Sequence, residues 1–160
     1  MRFSGLPVLL AVALVNSVGI AAQTLPAQTH GTLAQQRLCA DQADKFFRDL
    51  VAPGSLKKPI DPLLASYVDH YDANANICFV AVVRNEPSGK NVVYSITVFD
   101  AFEGSSYANY IQTSDRIAGG LPVKPPVRCS VEPRGQDKIT CKSEHEFDTL
   151  IEKHFGLVAR

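Results

Sequence analysis

The residues best suited to chemistry lie in one short run, Asp69-His70-Tyr71-Asp72. An imidazole beside a carboxylate can act as a general base or contribute to a metal site, so one hypothesis is a small secreted hydrolase centred on His70. In an extended segment, however, successive side chains point to opposite faces. Asp69 would then point away from His70, and Asp72 would share its face from two residues away. The run therefore favours a surface strand that leads into a turn.

Two further patterns bear on metal binding. The run Asp72-Ala-Asn74-Ala-Asn76 places oxygen ligands at every second position, as in the first half of a calcium-binding loop. Ile77 stands where that loop needs Gly and Val83 where it needs a bidentate Glu, so an Asn-rich turn is the better interpretation. The other histidines do not pair in the sequence: His30, His145 and His154. We predict no metal site and no cofactor.

Tyrosine side chains offer a second kind of candidate surface. Four of them could form an exposed aromatic patch that binds a protein or a glycan: Tyr67, Tyr71, Tyr107 and Tyr110. The alternative is that tyrosines at strand edges complete the core and leave their hydroxyls in water. The candidate binding residues are therefore His70, Tyr71, Tyr107 and Tyr110, and no catalytic residue is assigned.

A predicted hairpin lies at the centre of the sheet that must position these residues. Residues 76–84 and 91–100 are dense in β-branched and aromatic side chains, which fit packed strands. Residues 85–90 between them contain Pro87 and Gly89, and each of these suits a turn. Neither face of the first strand is polar, so we expect that strand to lie inside the sheet with both faces covered.

Helices are predicted before and after the strands. Residues 32–51 carry one apolar stripe at spacings of three and four, formed by Cys39, Ala43, Phe46 and Leu50. Pro53-Gly54 is placed to end this helix. Ser143 and Glu146 match a capping box at the start of a second helix, and Gly156 is placed to stop it.

The order of these elements predicts the fold class. A helix, several consecutive strands joined by short turns and a final helix indicate an α+β fold, in which a small antiparallel sheet of hairpins lies between an N-terminal and a C-terminal helix in the chain. We expect residues 32–160 to form a single α+β domain, with residues 23–31 as a flexible lead-in.

Four cysteines allow three pairings, and two observations favour one of them. Cys39 lies on the buried stripe of the first helix and Cys78 on a central strand, so a bridge between them would join helix to sheet. In a second hairpin over residues 127–142, a three-residue turn places Cys129 opposite Cys141, where the two can bond at a non-hydrogen-bonded pair. We therefore predict two disulfides, Cys39–Cys78 and Cys129–Cys141.

The N-terminus predicts export. Residues 1–22 contain Arg2, then an apolar run over residues 6–15, then small residues, which is the layout of a secretory signal peptide with cleavage after Ala22 or, as a second choice, Ala21. The apolar run is too short to span a membrane. With 16 basic and 16 acidic residues and no basic run, the chain is not expected to bind nucleic acid or an anionic membrane.

The sequence resembles a group of small exported bacterial proteins that have no assigned function. The matching pieces are Cys-Ala-Asp-Gln-Ala at 39–43, His-Tyr-Asp at 70–72, Cys-Phe at 78–79, Asp-Ala-Phe-Glu at 100–103 and Ser-Glu-His-Glu-Phe-Asp at 143–148. The resemblance implies export and the four-cysteine layout. It implies no activity.

These observations favour a non-enzymatic exported domain that acts by binding. Such a domain could be an inhibitor or an envelope-associated module, in the periplasm or in the medium. Its expected partner is a protein or a glycan. The small hydrolase centred on His70 is the alternative, and it requires a concave pocket around that residue.

Overall fold

A computed structural model describes residues 31–52, 64–115 and 125–158 of the chain. Two helices and six strands follow one another in the order α1 Leu33–Val51, β1 Ala65–Asp72, β2 Ile77–Ser88, β3 Asn91–Asp100, β4 Ser106–Asp115, β5 Arg128–Val131, β6 Ile139–Thr140 and α2 Glu144–Phe155. The strands form one antiparallel sheet in which each strand pairs with the next along the chain. The predicted α+β class with an antiparallel sheet of hairpins is confirmed.

The sheet is covered by a helix on each face. Side chains of β2 alternate between the two sides: Phe79 and Ala81 pack in one apolar cluster with Phe147 and Ile151 of α2. Cys78, Val80 and Val82 pack in a second cluster with the buried residues Cys39 and Ala43 of α1. Both faces of the first half of β2 are therefore buried, as predicted from its lack of polar residues.

Helix α1 begins with a full capping box. Thr32 accepts a hydrogen bond from the backbone N–H of Gln35, and the Gln35 side chain accepts one from the Thr32 backbone. The predicted stripe is confirmed, because Cys39 and Ala43 are buried and Phe46 and Leu50 pack partly against the same cluster. The helix ends at Val51. The helix stop predicted at Pro53-Gly54 lies outside the described residues.

Helix α2 begins and ends as predicted, with one difference at its start. Ser143 accepts a hydrogen bond from the Glu146 N–H, but the Glu146 carboxylate accepts from the backbone of Lys142 and not of Ser143. Gly156 adopts a left-handed conformation and donates its N–H to the last turn of the helix. Phe147, Ile151 and Phe155 form the buried stripe.

The central hairpin has a shorter turn than predicted. Ser88 pairs with Asn91, so Gly89 and Lys90 alone make the connection, and the prediction of a turn over residues 85–90 is wrong. Pro87 instead lies in β2 opposite Val92. Strand β1 pairs with β2 only as far as Arg84, so Pro87 occupies a stretch of β2 without a described neighbour on that side, where a missing N–H is tolerated.

Both disulfides form as predicted, Cys39–Cys78 and Cys129–Cys141. The second hairpin has the predicted register, with Val131 opposite Ile139. One detail of that prediction is wrong: Cys141 donates its backbone N–H to the Cys129 carbonyl at 3.1 Å, so the bridge does not lie at a non-hydrogen-bonded pair. The Cα atoms are 5.0 Å apart, which is within the range that a disulfide spans.

Candidate functional site

Three turns gather at one end of the sheet. In an antiparallel meander every second connection lies at the same end, and here these are residues 73–76, 101–105 and 132–138. We call this the turn end. Connections held at one end of a rigid sheet are common places for binding residues, because they can present side chains without disturbing the core.

The turn over residues 101–105 is held by several hydrogen bonds. The Asp100 carboxylate accepts from the backbone N–H groups of Phe102 at 2.8 Å and Glu103 at 3.1 Å, and the Asp100 N–H donates to the Ser105 carbonyl at 2.9 Å. The Gln42 side chain of α1 donates to the Ala101 carbonyl at 2.8 Å. This turn therefore presents Phe102 in one conformation, although 56% of that residue is exposed.

The turn over residues 73–76 is also fixed by side chains. The Asp72 carboxylate accepts from the backbone of Asn74 at 2.8 Å and of Ala75 at 3.1 Å, which confirms the predicted Asn-rich turn. Asn76 has a positive φ of 53°, which Asn tolerates better than most residues. The Tyr71 hydroxyl donates to the Asn76 side chain at 2.7 Å. The aromatic ring of Tyr71 is thereby held at the turn end.

The first part of α1 borders the same end and is largely uncovered. Every residue from 32 to 38 is exposed, and Cys39 is the first residue of the helix that is buried. Leu38 is 58% exposed and lies one helical turn before Gln42, which binds the turn that carries Phe102. Two large apolar side chains, Leu38 and Phe102, are thus exposed close to one another.

Between these elements lies a cavity of about 430 Å³, which we call the turn-end groove. Helix α1, the three turns and the start of β4 all contribute to its lining: Gln35, Leu38, Cys39, Tyr71, Ala75, Asn76, Ile77, Cys78, Asp100, Phe102, Glu103, Tyr107 and Arg134. The volume lies in the range of natural ligand pockets. Because Cys39 and Cys78 both line it, the first disulfide ties the helical wall of the groove to the strand beneath it.

A β-bulge brings Tyr107 to the groove. Val98 pairs with Ala108 but Phe99 pairs with Ser106, so Tyr107 is the extra residue of β4. Its ring packs edge-on against Phe79 at 5.6 Å, on the α2 face of the sheet. Simple alternation from Ala108 would have sent Tyr107 to the other face, so the bulge decides where this ring lies.

The four tyrosines do not form one exposed patch, and the prediction is wrong in that respect. Tyr110 is only 2% exposed, and its hydroxyl donates to Gln112 at 3.1 Å. Burial, followed by the nearby carboxylates of Glu144 and Asp148, raises the Tyr110 pKa, so the hydroxyl stays protonated. It is buried because β4 turns that side chain towards Phe147 of α2, 5.4 Å away between ring centroids.

Tyr67 is also removed from the groove. Its ring stacks on Phe47 of α1 at 4.8 Å, and its hydroxyl lies 3.4 Å from the Asp44 carboxylate, to which it donates. Burial first, and then Asp44, raises the pKa of Tyr67. Of the predicted tyrosines, only Tyr71 and Tyr107 line the turn-end groove.

His70 lies in a different place, beside the C-terminal end of α2. A second cavity of about 740 Å³ contains His70 together with Asp72, Glu152 and His154. A Cβ atom on Gly156 would lie 2.6 Å from His70 Nε2, so the imidazole packs directly over that glycine. Asp69 pairs with Val80 of the α1-facing cluster and His70 with Phe79 of the α2-facing cluster, so the two side chains point to opposite faces, as expected.

The second cavity has carboxylates beside His70 but no serine, threonine or cysteine and no metal-ligand set in the described chain. No Ser, Thr or Cys is among the described residues that line it. Over residues 31–52, 64–115 and 125–158, no group of three or more His, Cys, Asp and Glu side chains is placed to hold a metal ion. His70 therefore has a concave setting with carboxylates nearby, but no Ser, Thr or Cys nucleophile and no metal-ligand group in these parts of the chain.

Several groove residues are not among the candidate site residues predicted from the sequence, for example Leu38, Phe102 and Arg134. Leu38 lies outside the predicted helical stripe, which is the one available sign that it is exposed. Phe102 belongs to a run, Asp-Ala-Phe-Glu-Gly, in which the spacing of Asp100 and Gly104 is typical of a turn. Arg134 carries no such signal, because only the pairing of β4 with β5 brings its turn to the groove.

Comparison with protein-family models, with curated proteins and with solved structures finds no match to this chain. The resemblance to small exported bacterial proteins thus stays a prediction. Within the described residues, neither helix has the length and apolar character needed to cross a membrane.

Proposed function

We propose that this protein is a non-enzymatic exported domain that binds a protein partner in the turn-end groove. The observation that carries the proposal is a pair of exposed apolar side chains, Leu38 and Phe102, at a groove whose walls are held by a disulfide and by turn hydrogen bonds. A site that is already ordered loses little conformational entropy when a partner binds.

The character of the groove favours a segment of protein chain over a glycan. Leu38 is aliphatic, and the sulfurs of the adjoining disulfide have no hydrogen to donate and are weak acceptors, so this wall offers little to sugar hydroxyls. Exposed apolar side chains next to aromatic rings instead suit an apolar anchor residue of a partner, and such anchors supply most of the binding energy at protein interfaces.

The hydrolase alternative receives no comparable support. Among the described residues the cavity around His70 has no Ser, Thr or Cys nucleophile and no metal-ligand group, so catalysis there would have to rely on His70 and charged neighbours such as Asp72 and Glu152. Export is part of the proposal because residues 1–22 have the layout of a signal peptide and because two disulfides suit an oxidising compartment.

Selection from a random peptide library tests the binding proposal. We expect the disulfide-bonded protein, residues 23–160, to enrich peptides with a large apolar residue. Phe102→Ser should weaken their binding by roughly 30-fold, the loss typical of a central anchor contact, without changing the melting temperature. Val127→Ser is the matched control, since Val127 is 72% exposed but does not line the described groove.

Two results would contradict this proposal. One is a library that yields no enriched peptide. The other is a set of peptides whose binding is equally strong to the Phe102→Ser and Val127→Ser variants. Turnover of ester, glycoside or peptide substrates that is lost in a folded His70→Ala variant would support the hydrolase instead.

A further inference from the structure

We propose that the turn-end groove selects its partner by charge, taking a segment that carries both a basic and an acidic residue near its apolar anchor. The inference rests on the proposed function and adds the chemistry of the partner. The basic residue would face Glu103, and the acidic residue would face Arg134.

The acidic side of the groove is the turn that also carries Phe102. Glu103 is exposed there, and Asp100 lies below it, 5% exposed, with its carboxylate accepting two backbone N–H groups. Because Asp100 holds the turn, the position of Glu103 relative to Phe102 is set before a partner arrives. A Lys or Arg adjoining the apolar anchor would meet this carboxylate.

The basic side is the turn between β5 and β6. Arg134 is exposed and lines the groove, and its turn is closed by a hydrogen bond from Gln136 N–H to the Pro133 carbonyl at 3.0 Å. The Glu132 N–H donates to the Tyr107 carbonyl at 2.6 Å, which ties this turn to the groove wall. A guanidinium presents paired donors that match a carboxylate.

Neither charge is already neutralised by an ion pair in the described structure. Ion pairs over residues 31–52, 64–115 and 125–158 join Lys45 to Asp49, Arg48 to Asp44, Arg84 to Glu86 and Lys138 to Glu132, and none includes Glu103 or Arg134. Two opposite charges at one groove, each open to a partner, would favour a segment that carries both charges over a segment whose charges all have one sign.

Charge reversal tests the inference. Wild-type protein should enrich peptides that carry both a Lys or Arg and an Asp or Glu near the apolar residue. Glu103→Lys should replace the basic preference by an acidic one, and Arg134→Glu should replace the acidic preference by a basic one. For a wild-type peptide, Glu103→Gln should weaken binding roughly threefold at low salt and less at high salt.

Matched controls are charges away from the groove. Glu152→Gln on α2 and Arg128→Glu on β5 should leave the enriched sequences unchanged, since both side chains are exposed and neither lines the described groove. Each variant is checked for its melting temperature and for both disulfides by peptide mapping, so that a loss of binding is not a loss of folding.

The outcomes separate the two proposals. Peptides that bind through Phe102 but carry no charge preference, or preferences that do not change in Glu103→Lys and Arg134→Glu, would overturn the inference on charge and leave the binding function standing. Absence of any enriched peptide would overturn both. A preference that reverses only in the matching variant supports the inference.

Discussion

The exposed ring of Phe102 illustrates what a single residue contributes here. Tyr110 and Phe102 are both aromatic, yet one is packed against α2 and the other faces solvent from a hydrogen-bonded turn. With 56% of Phe102 exposed, much of this apolar side chain is left uncovered in the described structure. A partner that covers the ring would gain roughly 2 kcal/mol or more of binding free energy.

His154 gives a residue-scale prediction about pH. Burial, and after it the charge of Lys153, lowers the pKa of His154 below its ordinary value of 6.5. Its Nε2 is buried and has no hydrogen-bond partner among the described residues. As the pH falls below about 6.5, His154 takes up a proton more readily in the unfolded chain than in the folded chain. The free energy of unfolding therefore has its full value above about pH 6.5 and decreases as the pH drops below that value.

The His154→Gln variant tests this dependence. Urea denaturation at about pH 7.5 and about pH 5.5 should show a smaller loss of stability at acid pH in the variant than in the wild type. His145→Gln is the control, because His145 is exposed on the same helix and its removal should leave the wild-type loss in place. An unchanged loss in His154→Gln would refute the assignment.

Gly156 gives a second residue-scale prediction. Gly156 and Gly89 have φ values of 65° and 61°, so alanine at either position incurs the left-handed penalty of roughly 1 kcal/mol. Only at Gly156 would the new Cβ lie 2.6 Å from His70 Nε2, whereas nothing lies within 4 Å of the corresponding atom at Gly89. Gly156→Ala should therefore lower the free energy of unfolding more than Gly89→Ala.

A double variant isolates the contact. Adding His70→Ala to Gly156→Ala should recover part of the extra loss, measured by urea denaturation, because the side chain that obstructs the new Cβ is gone. If Gly156→Ala and Gly89→Ala lowered the free energy of unfolding equally, the prediction would be wrong, because the His70 imidazole would then move away from the new Cβ without an energetic cost.

At the scale of elements, the Cys39–Cys78 bridge connects α1 to the sheet at the point where the helix first becomes buried. Before that point α1 has only exposed residues, and after it Phe46 and Phe47 add aromatic contacts to Phe99 and Tyr67. The bridge thus sets where the uncovered part of α1 begins, and with it the helical wall of the turn-end groove.

Removing this bridge should loosen α1 more than α2. The chain-entropy model gives about 4 kcal/mol for a separation of 39 residues and about 3 kcal/mol for a separation of 12. In a Cys39→Ala/Cys78→Ala variant, amide hydrogen exchange should accelerate most in α1. Cys129→Ala/Cys141→Ala is the control and should spare α1. Equal acceleration of α1 in both variants would contradict this role.

At the scale of the whole molecule, the meander determines where binding residues can meet. Pairing of each strand with the next places three connections at one end of the sheet, and α1 crosses close to that end. The helices cover the two faces and leave this end open. A groove made from five separate segments is the result, and none of those segments would form it alone.

Export is a prediction for the whole chain. Produced from its full sequence in a bacterial host, the protein should be recovered from the periplasm or medium with Gln23 as its first residue and both disulfides formed, as measured by intact mass and non-reduced peptide mapping. A version without residues 1–22 should stay in the cytosol with free thiols. Recovery of a cell-retained chain that still begins at Met1 would contradict the signal-peptide assignment.

Local periodicity and cysteine placement in the sequence determined the α+β class, both helical stripes, the buried central strand and the two disulfides. These features depend on residues close in the chain or directly opposite across a hairpin, such as Val131 and Ile139. The predicted central turn is too long, because Pro87 is tolerated within β2 beyond the point where the pairing with β1 ends.

Only the tertiary structure decided which aromatic rings are exposed and which side chains share a groove. Tyr110 is buried because α2 lies over it, and Tyr107 reaches the groove because a bulge turns it. Leu38, Phe102 and Arg134 come together from segments that are distant in the sequence. The exposure of a side chain and its contacts with distant residues depend on how helices and strands pack. The periodicity within one element does not predict them.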